Sequence, residues 1–273
     1  MTRISLLGVP HDENSSFMRG AAEAPPLIRR KFFCDAYSNF SESGVDTAAR
    51  GLIQDHGDIP FGGTSVDPWV LIEEIVMEAL GPGDPLICLG GDHAITHPIM
   101  RAVRRHHPKL TILHIDAHPD IYHVYQDNMR SHACPFARIM EEKLTDRLIQ
   151  VGLRSVSDHH REQFSRFGVE AIEAAYCCED LQFDISTPVY ISIDLDGLDP
   201  AYAPGVSHRE PGGLTPRQVI NWIHQIRQPI VAADIVEYNP RCDISDMTAI
   251  VAAKLLKEIA GMMIKNAPDG GAR

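Results

Sequence analysis

The 273-residue chain is short of basic residues, paired cysteines and long apolar runs, and each shortage removes a class of function. Lys and Arg number 25 against 37 Asp and Glu, a formal charge of -12. That balance is wrong for a phosphate backbone, so nucleic acid is not an expected partner, and a cationic small molecule suits the field better. The six cysteines, at positions 34, 88, 134, 177, 178 and 242, form no Cys-x-x-Cys pair and no regular spacing. A disulfide or thiolate-metal scaffold is therefore not expected, and a reducing, cytoplasmic compartment is. Bridging the vicinal Cys177 and Cys178 would need a strained ring, so both are read as inert thiols. The apolar run Ile4 to Leu7 ends at Gly8 and Pro10, too short for a secretory core, and no stretch approaches the roughly 18 apolar residues of a membrane span. No Gly-x-x-x-x-Gly-Lys-[Ser/Thr] loop occurs, and Gly81-Pro82-Gly83 lacks the rest of a dinucleotide fingerprint. Linkers, repeats and low-complexity tracts are also missing, which leaves one domain over residues 1–273.

What is present is an alternation. Short runs rich in Ile, Val and Leu, at Arg3 to Leu7, Pro85 to Leu89, Leu110 to Ile115, Leu148 to Gly152, Val189 to Ile193 and Ile230 to Val236, predict strands buried on both faces. Helical periodicity falls at Asp67 to Leu80, Thr96 to His106, Ser157 to Phe167, Pro216 to Ile226 and Asp246 to Ile264. The fold class is α/β: a single three-layer domain with a central parallel sheet flanked by helices. Such sheets bind ligands beyond the carboxyl ends of their strands, and four of those ends are rich in polar groups. They read Gly90-Gly91-Asp92-His93, Asp116-Ala117-His118-Pro119-Asp120, Asp194-Leu195-Asp196-Gly197-Leu198-Asp199-Pro200 and Glu237-Tyr238-Asn239-Pro240.

Acidic groups on neighbouring strand ends repel unless a cation lies between them. In Asp116-x-His118-x-Asp120 and Asp194-x-Asp196, side chains two apart in extended backbone point the same way. With His93 they supply four carboxylates and two imidazoles, too much charge for one divalent ion and enough for two that share bridging oxygens. Hard oxygen donors, a minority of imidazole and no thiolate favour Mn²⁺ over structural Zn²⁺. A binuclear site with two Mn²⁺ per chain is expected. Asp194 to Pro200 superficially suggests a calcium loop, but Leu198 occupies its third acidic position and no Glu closes it.

At these motifs the sequence resembles the ureohydrolase family of arginases and agmatinases, from the first strand to the last helix. It looks most like the plant-type arginases through Asn14-Ser15-Ser16-Phe17, Ser131-His132-Ala133, Phe136-Ala137-Arg138-Ile139 and Pro204-Gly205-Val206-Ser207-His208. The resemblance implies that His93, Asp116, Asp120 and Asp194 hold one Mn²⁺ and that Asp116, His118, Asp194 and Asp196 hold the other. It implies a trimeric or hexameric homo-oligomer and a small guanidino substrate. Two such ions acidify a water between them and supply hydroxide at neutral pH, which an unreactive guanidinium carbon requires. By the same resemblance Asp120 carries a proton to the departing amine and His132 shuttles protons. Glu237 can accept paired hydrogen bonds from a planar guanidinium and so place its carbon.

The stretch from Ile121 to Ser131 is expected to decide the substrate. Animal arginases carry Asn where this chain has Tyr122, and plant-type motifs carry serines where it has Cys134-Pro135. Asn128, Arg130 and Ser155, with His208 and Arg209, are candidate groups for a carboxylate or polar tail. L-Arginine and Nω-substituted arginines such as Nω-hydroxy-L-arginine rank first, giving urea or hydroxyurea and ornithine; agmatine or another guanidino acid is the alternative. His56, His106, His107, His159 and His224 receive no role, and the pairs His106-His107 and His159-His160 are placed on helices away from the metal clusters. A single-Zn²⁺ deacetylase and a metal-binding, non-enzymic paralogue are the competing classes; a paralogue would be expected to lose a ligand, and all six positions match.

Overall fold

The computed structural model describes residues 2–81, 84–178 and 181–267. Pro82 and Gly83, read above for a nucleotide fingerprint, lie outside them. Eight strands form one parallel sheet in the order β2-β1-β3-β8-β7-β4-β5-β6. They are β1 Ile4–Val9, β2 Ile53–Asp58, β3 Leu86–Gly90, β4 Thr111–Ile115, β5 Arg147–Leu153, β6 Glu170–Glu173, β7 Val189–Asp194 and β8 Ile230–Val236. Among the described residues seven α-helices accompany them: α1 Ala24–Phe32, α2 Pro68–Leu80, α3 Thr96–His106, α4 Pro135–Glu141, α5 Asp158–Phe167, α6 Pro216–Gln225 and α7 Met247–Lys265.

Strand alternation splits the apolar side chains between two cores, one on each face of the sheet. Leu6, Ile87, Leu89, Leu113 and Ile115 face a core shared with α1, α6 and α7. Leu7, Leu86, Cys88 and Ile112 face the other, against α2, α3 and α4. Because the six inner strands are covered on both sides, their sequences are continuous apolar runs, and the six expected strands agree with them to within two residues at either end. The two outer strands escaped that reading. β2 (IQDHGD) is mostly exposed and β6 (EAIE) has no fully buried residue, so neither carries the apolar signal of an inner strand.

Helix starts follow local chemistry. Asp67, Ser157 and Thr215 cap α2, α5 and α6 through side-chain oxygens that accept backbone N–H bonds, and Pro68 and Pro216 occupy first-turn positions where the missing N–H is harmless. The helices α1 and α4 went unpredicted: each is short and opens on proline, Pro25-Pro26 in the first and Pro135 in the second, which interrupts the pattern just where it begins.

Strands β3, β8, β7 and β4 are consecutive in the sheet, so the four polar strand ends become neighbours. Close backbone approach helps to fix them. A Cβ on Gly91 would sit 1.9 Å from the carbonyl oxygen of His11, and one on Gly197 2.9 Å from the Asp116 backbone. Gly91 also donates its N–H to Val9, while its carbonyl accepts from Glu237. Gly91→Ala is expected to cost about 1–3 kcal/mol, because the obstruction is backbone that cannot rotate away. Urea denaturation checks this; an unchanged midpoint would show that the β1 and β3 ends can separate freely.

Candidate metal centre

His93 lies at the start of a short 3-10 helix after β3, capped by Asp92, and is fully buried. Its Nε2 is 2.9 Å from Ser192 Oγ, and Ser192 donates to Asp234 at 2.6 Å. Asp234 also accepts from Tyr190 and from Thr96 Oγ1, a buried carboxylate served by three hydroxyls. With the Ser192 proton committed to Asp234, Ser192 can only accept from His93, which fixes the imidazole proton on Nε2. In the neutral ring Nδ1 therefore turns a bare lone pair toward three carboxylates, Asp120 at 3.0 Å and Asp116 and Asp194 at 3.2 Å. It has no hydrogen-bond donor to meet it.

That orphaned nitrogen among carboxylate oxygens fits a divalent cation. His93, Asp116, Asp120 and Asp194 bring ligand atoms within 4.8 Å of one another, and so do Asp116, His118 and Asp196. Asp116 belongs to both groups. The structure thus brings together all six expected ligands, with Asp194 in the first group. Burial and the charges of Asp196 and Asp116 push the Asp194 carboxyl well above the usual carboxylate range. Burial also raises Asp196, to about 6, with His118 acting against it. Cations would relieve this repulsion.

Two supporting residues gave no sequence signal. His114, on β4, is fully buried and its Nε2 lies 2.8 Å from Asp116 Oδ2. Gln150 Nε2 meets His114 Nδ1 at 3.0 Å, so Gln150 donates, and the His114 proton points at the shared carboxylate. Asp92 accepts from the N–H groups of Asn14 and Ala94. The Asn14 carbonyl accepts from His132 N, which pins the loop containing His132 over the site.

Glu237 and Asp120 both adopt left-handed backbone, with φ of 62° and 46°. Non-glycine residues seldom do so, and such strain gathers at functional sites. Glu237 Oε1 accepts from His93 N at 3.0 Å and lies 2.8 Å from His132 Nδ1. Burial disfavours a charged His132, but the Glu237 carboxylate outweighs it and raises the ring to about 9. Burial likewise raises Glu237, and His132 outweighs that effect and lowers it.

An open cavity above the cluster is lined by His118, Asp120, Asp194, Asp196, His132 and Glu237, and its walls include Ser16, Tyr122, Tyr125, Ser155, His208 and Glu210. Ser155 and His208 thus stand where the sequence reading looked for tail-binding groups. Asn128 and Arg130 do not line it: Asn128 donates to Asn14, while Arg130 pairs with Asp67 at 2.7 Å and covers Trp69. Arg209 donates to the carbonyls of Pro204 and Cys242. The placement of His160 away from the clusters also needs correction. Its ring, on the first turn of α5, lines the cavity and packs edge-on against Tyr122.

The pattern of the arginase family matches residues 2–261. The chain belongs to the arginase family. It is accordingly a hydrolase acting on guanidino or amidine substrates. It is 45% identical over 279 residues to Arginase 1, mitochondrial, of Arabidopsis thaliana, covering 96% of this chain and 81% of that one. The solved arginase from Medicago truncatula superposes with a TM-score of 0.89 at 42% identity, over 96% of this chain and 87% of that structure. Agmatinase, mitochondrial, of Gallus gallus is 34% identical over 93% of this chain and 79% of its own length. The mitochondrial names of these relatives overturn the expected cytoplasmic location, which rested on cysteine usage and the short N-terminal apolar run. Among the described residues no helix is long and apolar enough to cross a membrane.

The His132–Glu237 pair sets a pH dependence. Because the folded ring titrates near 9 and the free imidazole near 6.5, the pair's stabilisation is complete below about 6.5 and is lost as pH rises through about 9. In metal-free protein, NMR titration of His132 should show this raised value. In Glu237→Gln it should fall, since burial then meets only the weaker charges of Asp120 and Asp92; an unchanged titration would rule out the pair as the cause.

Proposed function

We propose that this arginase-family chain is a manganese-dependent hydrolase that cleaves the guanidino C–N bond of L-arginine or an Nω-substituted arginine such as Nω-hydroxy-L-arginine. The products are urea or hydroxyurea and ornithine. The observation that carries this reading is the bare His93 Nδ1 facing Asp116, Asp120 and Asp194, beside a carboxylate and imidazole pair at the mouth of the same cluster.

In this reading His93, Asp116, Asp120, His118, Asp194 and Asp196 hold two Mn²⁺, whose oxygen-rich ligand set with two imidazoles suits that ion. When bound, the pair supplies hydroxide at neutral pH for attack on the guanidinium carbon. The chain's own residues do the rest. Glu237, held by His93 N and by His132, accepts hydrogen bonds from the guanidinium and fixes its plane. Left-handed backbone brings Asp120 to the cavity floor, where its carboxylate carries a proton to the departing amine nitrogen. His132, at the cavity edge, gives or takes protons through Nε2 while Glu237 stabilises its charged form.

Hydrolysis of agmatine is the second reading. It is favoured by the acidic lining of the cavity and by the likeness to the chicken agmatinase. Release of urea or hydroxyurea from L-arginine, Nω-hydroxy-L-arginine and agmatine, compared as kcat/KM with added Mn²⁺, separates the readings. A preference for either amino acid supports the first. A preference for agmatine replaces it with the second, and no urea or hydroxyurea from any of the three removes both.

Elemental analysis should find close to two Mn²⁺ per chain. Asp194→Asn is expected to lose metal, since it removes a carboxylate from the centre of the cluster. Glu237→Gln should keep the metal and lose on the order of a hundredfold in kcat/KM through misplacement of the guanidinium. Metal loss in Glu237→Gln together with retention in Asp194→Asn would reverse these assignments, and full turnover with one Zn²⁺ per chain would sink the binuclear proposal.

A further inference from the structure

His132 has both ring nitrogens engaged by the protein. Nδ1 faces Glu237 at 2.8 Å, and Nε2 faces Ser16 twice, Oγ at 2.8 Å and the backbone N at 3.2 Å. The ring itself is buried, whereas Ser16 is only half-buried and lines the cavity. Nδ1 is closed off by a carboxylate that is itself buried, so the Nε2 side is the ring's way out, and the Ser16 hydroxyl occupies it.

The two Ser16 contacts do different things. The backbone N–H can only donate, so it favours the ring state in which Nε2 keeps its lone pair and the proton sits on Nδ1 toward Glu237. The hydroxyl serves either state by turning: Oγ–H donates to the neutral ring, and Oγ accepts from Nε2–H when the ring is charged. A group that can take a proton on one side and release one on the other is what a buried shuttle needs.

We propose that Ser16 acts through His132 as a relay and positioning residue, passing protons between Nε2 and water in the cavity; this rests on the ureohydrolase reading above. In the outward step the Nε2–H bond breaks and the proton forms a bond to Oγ, as the hydroxyl's own proton passes to a water. The ring becomes neutral, the hydroxyl is regenerated and the water leaves as hydronium, so charge and atoms balance. The inward step is the reverse. Ser16 is held in place without its side chain, because Asp92 accepts from Asn14 N and the Asn14 carbonyl accepts from His132 N. Removing the hydroxyl therefore leaves the loop's clamp intact.

The test compares Mn²⁺-loaded wild type, Ser16→Ala and Ser16→Thr with L-arginine, Nω-hydroxy-L-arginine and agmatine, using whichever the wild type hydrolyses. Ser16→Ala should lower kcat by about tenfold or more with KM within about twofold, as loss of a proton-transfer partner does. Added imidazole should restore kcat in a concentration-dependent way, and Ser16→Thr should regain most of it. An unchanged kcat in Ser16→Ala, or a loss with raised KM that imidazole cannot rescue, overturns the relay. Independently of turnover, ¹⁵N NMR of the metal-free protein measures exchange of the His132 ring proton with solvent. Exchange should slow in Ser16→Ala and recover in Ser16→Thr, and equal rates in all three overturn the proposal. If the wild type hydrolyses no guanidine, the proposed function fails and the exchange rates alone decide the role of Ser16.

Discussion

Everything at the strand ends answers to one electrostatic problem: Asp116, Asp120, Asp194 and Asp196 are all buried, close together and of like charge. Burial alone penalises each carboxylate, and their proximity adds repulsion. The surrounding structure partly offsets this with fixed donors. His118 N and Asp196 N donate to Asp116 and Asp194, and His114 points its proton at Asp116. These bonds orient the oxygens and leave the charge largely uncompensated, the condition in which cations bind well. The fold carries that cost because the sheet beneath is held by two apolar cores.

The constraint then spreads outward through histidines. His93 needs its Nδ1 free, which requires Ser192 as acceptor, which in turn requires Asp234 as a sink for the serine proton. Asp234 is tolerable in the sheet interior only because Tyr190 and Thr96 also donate to it. The lone pair that faces the carboxylates is thus determined by hydrogen bonds that reach from β8 through β7 to the start of α3. The same logic governs His114, whose tautomer follows from Gln150, and His132, where Glu237 and Ser16 divide the two nitrogens. In each case a neighbour of defined polarity settles which nitrogen carries the proton.

How much of this the sequence discloses depends on whether a feature is local. Inner strands are legible as continuous apolar runs and the strand-end motifs as polar side chains two apart, both patterns that act over a few residues, and Asp116-x-His118-x-Asp120 needs no partner to be noticed. His114 is not legible. It sits inside an apolar run, two residues before Asp116, and its role depends on Gln150 from a neighbouring strand. Arg130 misled for the opposite reason: a cation on the loop before His132 looks poised for a carboxylate, yet Asp67 and Trp69 of a distant segment capture it. His160 was dismissed as a helix-face residue because helix position alone cannot say that the start of α5 turns its ring toward the cavity.

Backbone strain marks the furthest limit of sequence reading and links fold to chemistry. A residue leaving a parallel strand in extended conformation would carry the chain onward, away from the neighbouring strand ends. Left-handed backbone at Glu237 turns it back at once, and its N–H reaches the Gly91 carbonyl while its carboxylate accepts from His93 N. Asp120 makes the corresponding turn, and its carbonyl accepts from Phe136 N at the start of α4. Glu at 237 announces no such φ, since Gly, Asn or Asp would be the ordinary choice, and Asp at 120 permits it without requiring it. The unfavourable conformation persists because the freed backbone groups find partners just beyond β3 and on α4. The two residues proposed to hold the guanidinium and to carry the proton are thus both among those that the fold holds in left-handed backbone.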